Sequence, residues 1–558
     1  MKSIRKILCV LLALMMVLAL CSCGGKSGGE TAPAPGGDKE PAKTDDGGKV
    51  SEQTDDGGAA SQAADGGAAV ETAAKPETVT IGVTGWLGRF LDGAEPSPNL
   101  TACDGVYDSL FLIDQSTAQP YSYILSDWGY EDEVTFKMTL KDGITFANGD
   151  VATGSDLLFS VLQHIERGDI SASSLGDLDL DNCKADGNVV TIKWKDAWGP
   201  GLTSRNIYLF DESWCREKGW DSYDWYEAPN GSGPFKVTEY VTDDHITLEL
   251  RDDYWNAANE KFQVKKWIIK YYADQSTMYM ALEKGEIAMA GLSSTDYTRL
   301  VNDTSSKLKI KTRAMGTTLN FFFGAVNNPI FQDKAVRQAI AHGVDWSAIG
   351  KLAYGDLYEP ADSIVSTKSP FYKPQGVYEY NPDLAKQILA DAGYKDGDIK
   401  IHLFEMNGAH KDFAEAFDYY CEAIGIQVDL EFGDVTTGLM TWMQDGGSDA
   451  GWYNNINGVA NGDPHESLNC FYIKGFTWCW WYQPEVQERF LKAAHTTDEA
   501  SRSEQYAELQ KLAYDEYIIV PICECMSVIG YDPAVFSEAE MNAYTYTSAY
   551  TLLHALSW

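Results

Sequence analysis

Basic residues are few in this chain. Against 82 Asp and Glu stand 44 Lys and Arg, a net charge of -38. A surface of that sign repels nucleic-acid phosphates and the anionic face of a membrane. Histidine is also sparse, with 8 residues, and none forms an HExxH zinc motif. No two cysteines have the CxxC spacing of a structural zinc site, since Cys523 and Cys525 are one residue apart. Neither a metal nor a cofactor is expected. No apolar run reaches the roughly 20 residues of a spanning helix.

What is present is length and apolar mass. The 558 residues suffice for two or three domains. Hydrophobic residues make up 44% and aromatics 12%, enough for large cores. At the N-terminus, Lys2, Arg5 and Lys6 precede the apolar run Ile7–Leu20, which is 14 residues long. That pattern is a secretory leader. Leu20, Ser22 and Cys23 follow with lipobox spacing, so cleavage before Cys23 and lipidation of its thiol are expected. Ordinary secretion with cleavage nearby is the alternative. Two acyl chains anchor stably where one is marginal.

Gly24 to Lys75 is a low-complexity tether, with DDGG at Asp45–Gly48 and again at Asp55–Gly58. It carries almost no aliphatic residue beyond alanine and cannot collapse. As a flexible coil it reaches roughly 40 Å. Of the 11 cysteines, Cys9, Cys21 and Cys23 fall in the leader region, and the remaining eight permit disulfides whose pairing stays open.

The folded chain is organised around Asn328–Gly355. Asp333 can cap a helix with Ala335, Val336, Ala339 and Ile340 on one stripe. Gly343 can stop it, and Asp345 can start a second helix that buries Ile349 and Leu352. Pro329, Phe331, Asp333, Val336, Arg337, Ala339, Gly343 and Asp345 together resemble the signature of family 5 extracellular solute-binding proteins, the peptide, oligopeptide and nickel receptors of ABC importers. Arg337 has no evident reaction partner and reads as structural.

Further stretches resemble the same family in the same order. Leu140–Phe146, Asn148–Asp150 and Ser155–Ser160 form one, with Gly154 and Ser155 where the pattern has alanine. Asn230–Phe235 is a glycine-proline turn, followed by Leu250–Trp255 and Ala281–Ala288. The helix Asn381–Gly393 has an asparagine cap, Pro382 at its first position and Leu384, Ile388 and Leu389 inside. Strands at Ile399–Glu405 and Ile426–Phe432 flank a helix at Asp412–Ala423, an α/β order.

The resemblance implies an α/β, two-lobed periplasmic-binding-protein-like fold with hinge strands and an extra inserted subdomain. Residues 1–22 would be leader and 23–75 lipidated cysteine and tether. Lobe I would combine 76–117, 229–316 and 530–558, with the insert at 118–228 and lobe II at 317–529. Thr317–Gly324 would cross between lobes as a hinge.

Candidate ligand contacts lie in several stretches. Trp86 and Arg89 sit in a glycine- and proline-rich loop. His410 follows a strand. In peptide-binding relatives an aspartate three residues after a Gly–Trp pair meets the peptide's amino group. Here Gly451–Trp452 is followed by Asn454 and Asn455, and an amide cannot neutralise a buried ammonium. Asp463 could compensate, or could only stabilise its own turn. Trp478, Trp480, Trp481 and Tyr482 offer aromatic faces to sugars, side chains or cations, or pack against the next helix.

The expected function is a membrane-anchored binding protein that captures a peptide-like solute in an interlobe cleft and delivers it to an ABC permease. An oligosaccharide or other polar solute is the alternative, and an extracellular glycoside-active enzyme the second. No catalytic residue is assigned. A monomer outside the cell membrane (periplasmic if an outer membrane exists), held only by its lipid, completes the expectation.

Overall fold

The computed structural model describes residues 75–84, 103, 105–114, 119–167, 175–202, 207–259, 262–406, 411–433, 447–454, 463–465, 468, 473 and 481–543. Apolar side chains gather in three large cores. The first surrounds a sheet in which Thr78–Val83 runs parallel to Lys266–Tyr271, followed by His245–Leu250 and Phe235–Val241 antiparallel. Alternation in TVTIGV buries Val79 and Ile81 here. The second core lies on a sheet of Leu125–Asp132, Thr135–Leu140, Val189–Lys193 and Lys184–Asp186. Helix Gly154–Arg167 covers it through Leu157 and Val161. The third core holds the parallel pair Lys400–Met406 and Gln427–Gly433, with helix Lys411–Ala423 between them in the chain.

The first two cores are fastened by buried polar groups. Arg251 donates to the main-chain carbonyls of Thr145, Phe146, Gly231 and Gly233, and to Asp253 at 3.1 Å. Asn230 accepts from the Asn148 amide and donates to Asp211, both at 2.8 Å. Glycine is needed at 231, because a Cβ would stand 1.8 Å from the Val106 carbonyl oxygen. Gly154, which departs from the family pattern, has a similar cause: a Cβ there would meet the Gly187 oxygen at 2.2 Å. Trp255 packs against both cores and donates to Asp108 at 2.9 Å.

Two long strands join the first core to the third. Lys309–Phe323 and Ile519–Tyr531 pair antiparallel, with Met289–Gly291 and Ala450–Asn454 on the flanks. Ile519, Val520, Ile522, Cys523 and Cys525 belong to the third core, whereas Ile529 and Tyr531 belong to the first. Within Lys309–Phe323, burial changes midway. Ile310–Met315 are part-buried; Gly316–Phe323 are buried throughout. At the change the register shifts between Ala314 and Thr318, and Gly316 takes a φ of +68°. Each buried Phe of Phe321–Phe323 contributes about 1.5–3 kcal/mol, so the buried end is the more firmly anchored of the two. Bending is favoured at this break in the ladder.

The helix pair at the centre forms as the sequence implies. Asp333 caps Lys334–Gly343 by accepting from the Ala335 amide at 2.9 Å. Asp345 caps Trp346–Tyr354 at 3.0 Å from the Ala348 amide. Arg337 is buried and donates to the carbonyls of Phe331, Gln332 and Glu516, a structural clamp. Two expectations fail. Leu352 is 47% exposed because it lines a cavity one turn beyond Ile349, which alone of the pair is buried in the third core, and Leu384 is 40% exposed in the first turn of its helix. Periodicity marks a face but not what that face meets. Among the described residues, Cys103, Cys183, Cys215, Cys421, Cys523 and Cys525 form no disulfide with one another, and Cys470 and Cys479 lie outside the described residues.

Candidate functional site

The crossing strands form one wall of a cavity of about 420 Å³, through Leu319, Met526 and Val528. Residues from both sides close it. Helices Gln275–Glu283 and Ser294–Asn302 bring their N-terminal ends from one side. Their caps explain why they start there. Asp274 accepts from the Thr277 amide at 2.8 Å, and Ser293 from the Asp296 amide at 3.0 Å. From the other side come Leu352 and Tyr354 at the end of Trp346–Tyr354, and Asp412 and Phe413 at the start of Lys411–Ala423.

The described lining is mainly apolar, with Gln275, Ser293, Ser294, Tyr354 and Asp412 as its polar points. Such a mixture suits a small organic solute fixed by few polar contacts. Burial holds the Tyr354 phenol well above its ordinary pKa, so it stays protonated. Burial likewise raises the thiols of Cys523 and Cys525 in the second crossing strand, which keeps them unreactive at neutral pH. A larger cavity of about 790 Å³ lies beside Lys400, His402, Asp418 and Asp429. All its described walls come from residues around the third core. Movement about the crossing strands cannot close it, so the smaller cavity is the better candidate.

Sequence candidates divide by position. Trp86, Arg89, His410, Asn455, Trp478, Trp480 and Cys23 lie outside the described residues. Asn454 ends the flanking strand, paired in register with Leu319 of the cavity wall. Trp452 is 1% exposed, with its ring 5.2 Å from Phe321 and 6.0 Å from both Phe413 and Phe417. It therefore stands one ring behind the cavity, supporting Phe413. Asp463 is buried, accepts from Arg502 Nε at 3.1 Å and from the His465 amide at 2.9 Å. The His465 bond is that of the turn the sequence offers for Asp463, and Arg502 supplies a counter-charge. Trp481 is packed into the third core and Tyr482 is half-buried. Gln275, Ser293, Ser294, Tyr354 and Asp412 were missed; only the cap pattern at Asp274 and Ser293 marks that region in sequence.

Residues 120–477 match the family model described as bacterial extracellular solute-binding proteins, family 5 Middle. A Brucella ovis protein, provisionally named as an ABC transporter peptide-binding protein, is 30% identical over 170 residues. That match covers 30% of this chain and 31% of the Brucella protein. The oligopeptide-binding protein AppA of Bacillus subtilis is 27% identical over 462 residues, 74% of this chain and 79% of its own. The AppA structure with a nonapeptide superposes with a TM-score of 0.71 at 19% identity, over 87% of this chain and 99% of AppA. AgaA of A. tumefaciens R10, solved with agropinic acid, gives 0.72 at 19%, over 86% of this chain and 98% of that one.

Proposed function

Because the chain belongs to the bacterial extracellular solute-binding proteins of family 5, which are not enzymes, we propose that it is the membrane-anchored receptor of an ABC importer, taking a peptide-like solute into the cleft between its lobes. One observation carries this reading. The 420 Å³ cavity draws its walls from both sides of the crossing strands, so hinge movement opens and closes it. The lobe boundaries follow as proposed from the sequence, with residues 118–228 as the insert. Cys23 carries the lipid, and 24–75 tether the receptor outside the cell membrane within reach of its permease. Among the described residues no helix is long and apolar enough to cross a membrane.

A different polar solute is the second reading. Asn455 favours it, standing where peptide-binding relatives carry the aspartate for an amino terminus. A thermal-shift screen of the chain against di- to hexapeptides, amino-blocked peptides, oligosaccharides and divalent metals separates the readings. A ligand at 100 times its Kd stabilises by about 2.7 kcal/mol. Peptides that shift the melt, blocked or not, support a receptor that ignores the amine. A shift with oligosaccharides alone overturns the peptide assignment, and turnover of any bound solute overturns the receptor reading.

A further inference from the structure

The cores touch again away from the crossing strands. The turn after strand Val189–Lys193 carries Trp198, Gly199 and Gly201 out from the second core to the third-core side. Trp198 is 4% exposed, its ring edge-on to His465 at 4.9 Å and tilted to His495 at 6.0 Å. The Gly199 amide donates to the Ala494 carbonyl at 2.6 Å. Ala494 ends helix Pro484–Ala494, whose Val486, Phe490 and Ala493 pack in the third core, yet its methyl group belongs to the second. Contact here is tight. A Cβ on Gly199 would stand 2.2 Å from the Thr496 oxygen and 2.8 Å from Arg502 Nη1.

Each half of the contact is braced by bonds within its own side. On the second-core side, the Tyr130 hydroxyl donates to the Trp198 carbonyl and braces the turn. On the other side, Arg502 is held by Asp463, by the Thr496 carbonyl at 2.8 Å and by the Thr497 carbonyl at 3.3 Å. That pairing gives the guanidinium a counter-charge on its own side, with the Tyr130 phenol of the other side within electrostatic reach of both. Among the described residues no sheet hydrogen bond spans this contact, so parting it breaks no ladder among them.

We propose that the Trp198–Gly199 turn is a latch, seating on Ala494 and Arg502 when the cleft closes and leaving them when it opens. The proposal rests on the receptor reading in that closing is what it serves. Closure then draws on contacts that never touch the solute, and apparent affinity scales with the fraction latched. Asp463, which the sequence offers as a ligand group, acts instead as the counter-charge of the latch plate.

Hydrogen–deuterium exchange on the full chain tests this without any ligand, so a failed latch and a failed receptor assignment are told apart. In the wild type, peptides spanning 194–202 and 490–502 exchange faster than the crossing strands, because they open with the lobes. Gly199→Val and, from the opposite side, Ala494→Glu each accelerate exchange in both peptides, by about 5- to 150-fold, the span of usual coupling. Far-UV circular dichroism identifies a variant that has not folded, and the opposite variant then carries the comparison. Acceleration confined to the mutated side overturns the latch. So does wild-type exchange at 194–202 as slow as in 519–531, which marks a permanent contact.

Discussion

Arg251 shows how much one residue fastens. Its guanidinium is buried and serves four carbonyls that have come together from positions 145 to 233. Arg251→Ala leaves those acceptors desolvated, and should cost about 3 kcal/mol or more in chemical denaturation. Arg251→Lys should recover little, since an ammonium cannot span a planar set of acceptors. Gly231→Ala should be similarly severe, its Cβ lying on a main-chain oxygen. Near-native denaturation midpoints for these variants would contradict the role given to this network. Sequence made such residues visible as local patterns, because each sits beside its own turn. It could not show that Asp463 already has Arg502, whose position lies 39 residues away. Nor could it reveal Tyr354 or Asp412 as cavity residues. Nothing in their neighbours differs from an ordinary helix end.

At the scale of elements, caps decide where helices begin, and they were legible for that reason. Asp333→Ala should cost about 1 kcal/mol or more by loss of the bonds from the Ala335 amide and the Tyr394 hydroxyl, with Asp333→Asn retaining most of it. Caps also set an acid response. Hydrogen bonds to the Thr277 amide and hydroxyl, and to Ser501, hold the carboxyls of Asp274 and Asp498 below the ordinary carboxylate value. A depressed folded pKa gives stability that is complete above the unfolded pKa near 4 and lost as pH falls through the folded one. Replacing both with Asn should reduce that acid slope in a melt series between about pH 5 and pH 2, with Asp132, Asp253, Asp303 and Glu540 supplying the rest. An unchanged slope would count against the caps. In the first crossing strand, Gly316→Ala places a side chain at positive φ, at a cost of about 1–2 kcal/mol. Buried aromatic runs were readable as strands, whereas the register break beside Gly316 was not, because it arises from pairing with Glu524–Met526, far later in the chain.

For the whole molecule, the net charge of -38 makes self-repulsion a standing load. Raising salt from about 10 to 150 mM shortens the screening length from roughly 30 to 8 Å, so the melting temperature should rise, and a fall would mean attractive surface pairs dominate. Two-lobed architecture was legible from ordered resemblance along the chain. The cavity was not, since it joins segments around 275, 293, 354, 412 and 526 that meet only after folding. Leu352 illustrates both points: correctly an apolar helix position, yet turned to a cleft rather than a core. It also supplies the most direct test of solute capture between lobes. Leu352→Trp fills the cavity from one wall without disturbing a buried contact. The ligand found by screening should raise the wild-type melt and leave that of Leu352→Trp unmoved, while the two ligand-free melts agree. An equal ligand shift in both proteins would place the solute elsewhere and contradict the account.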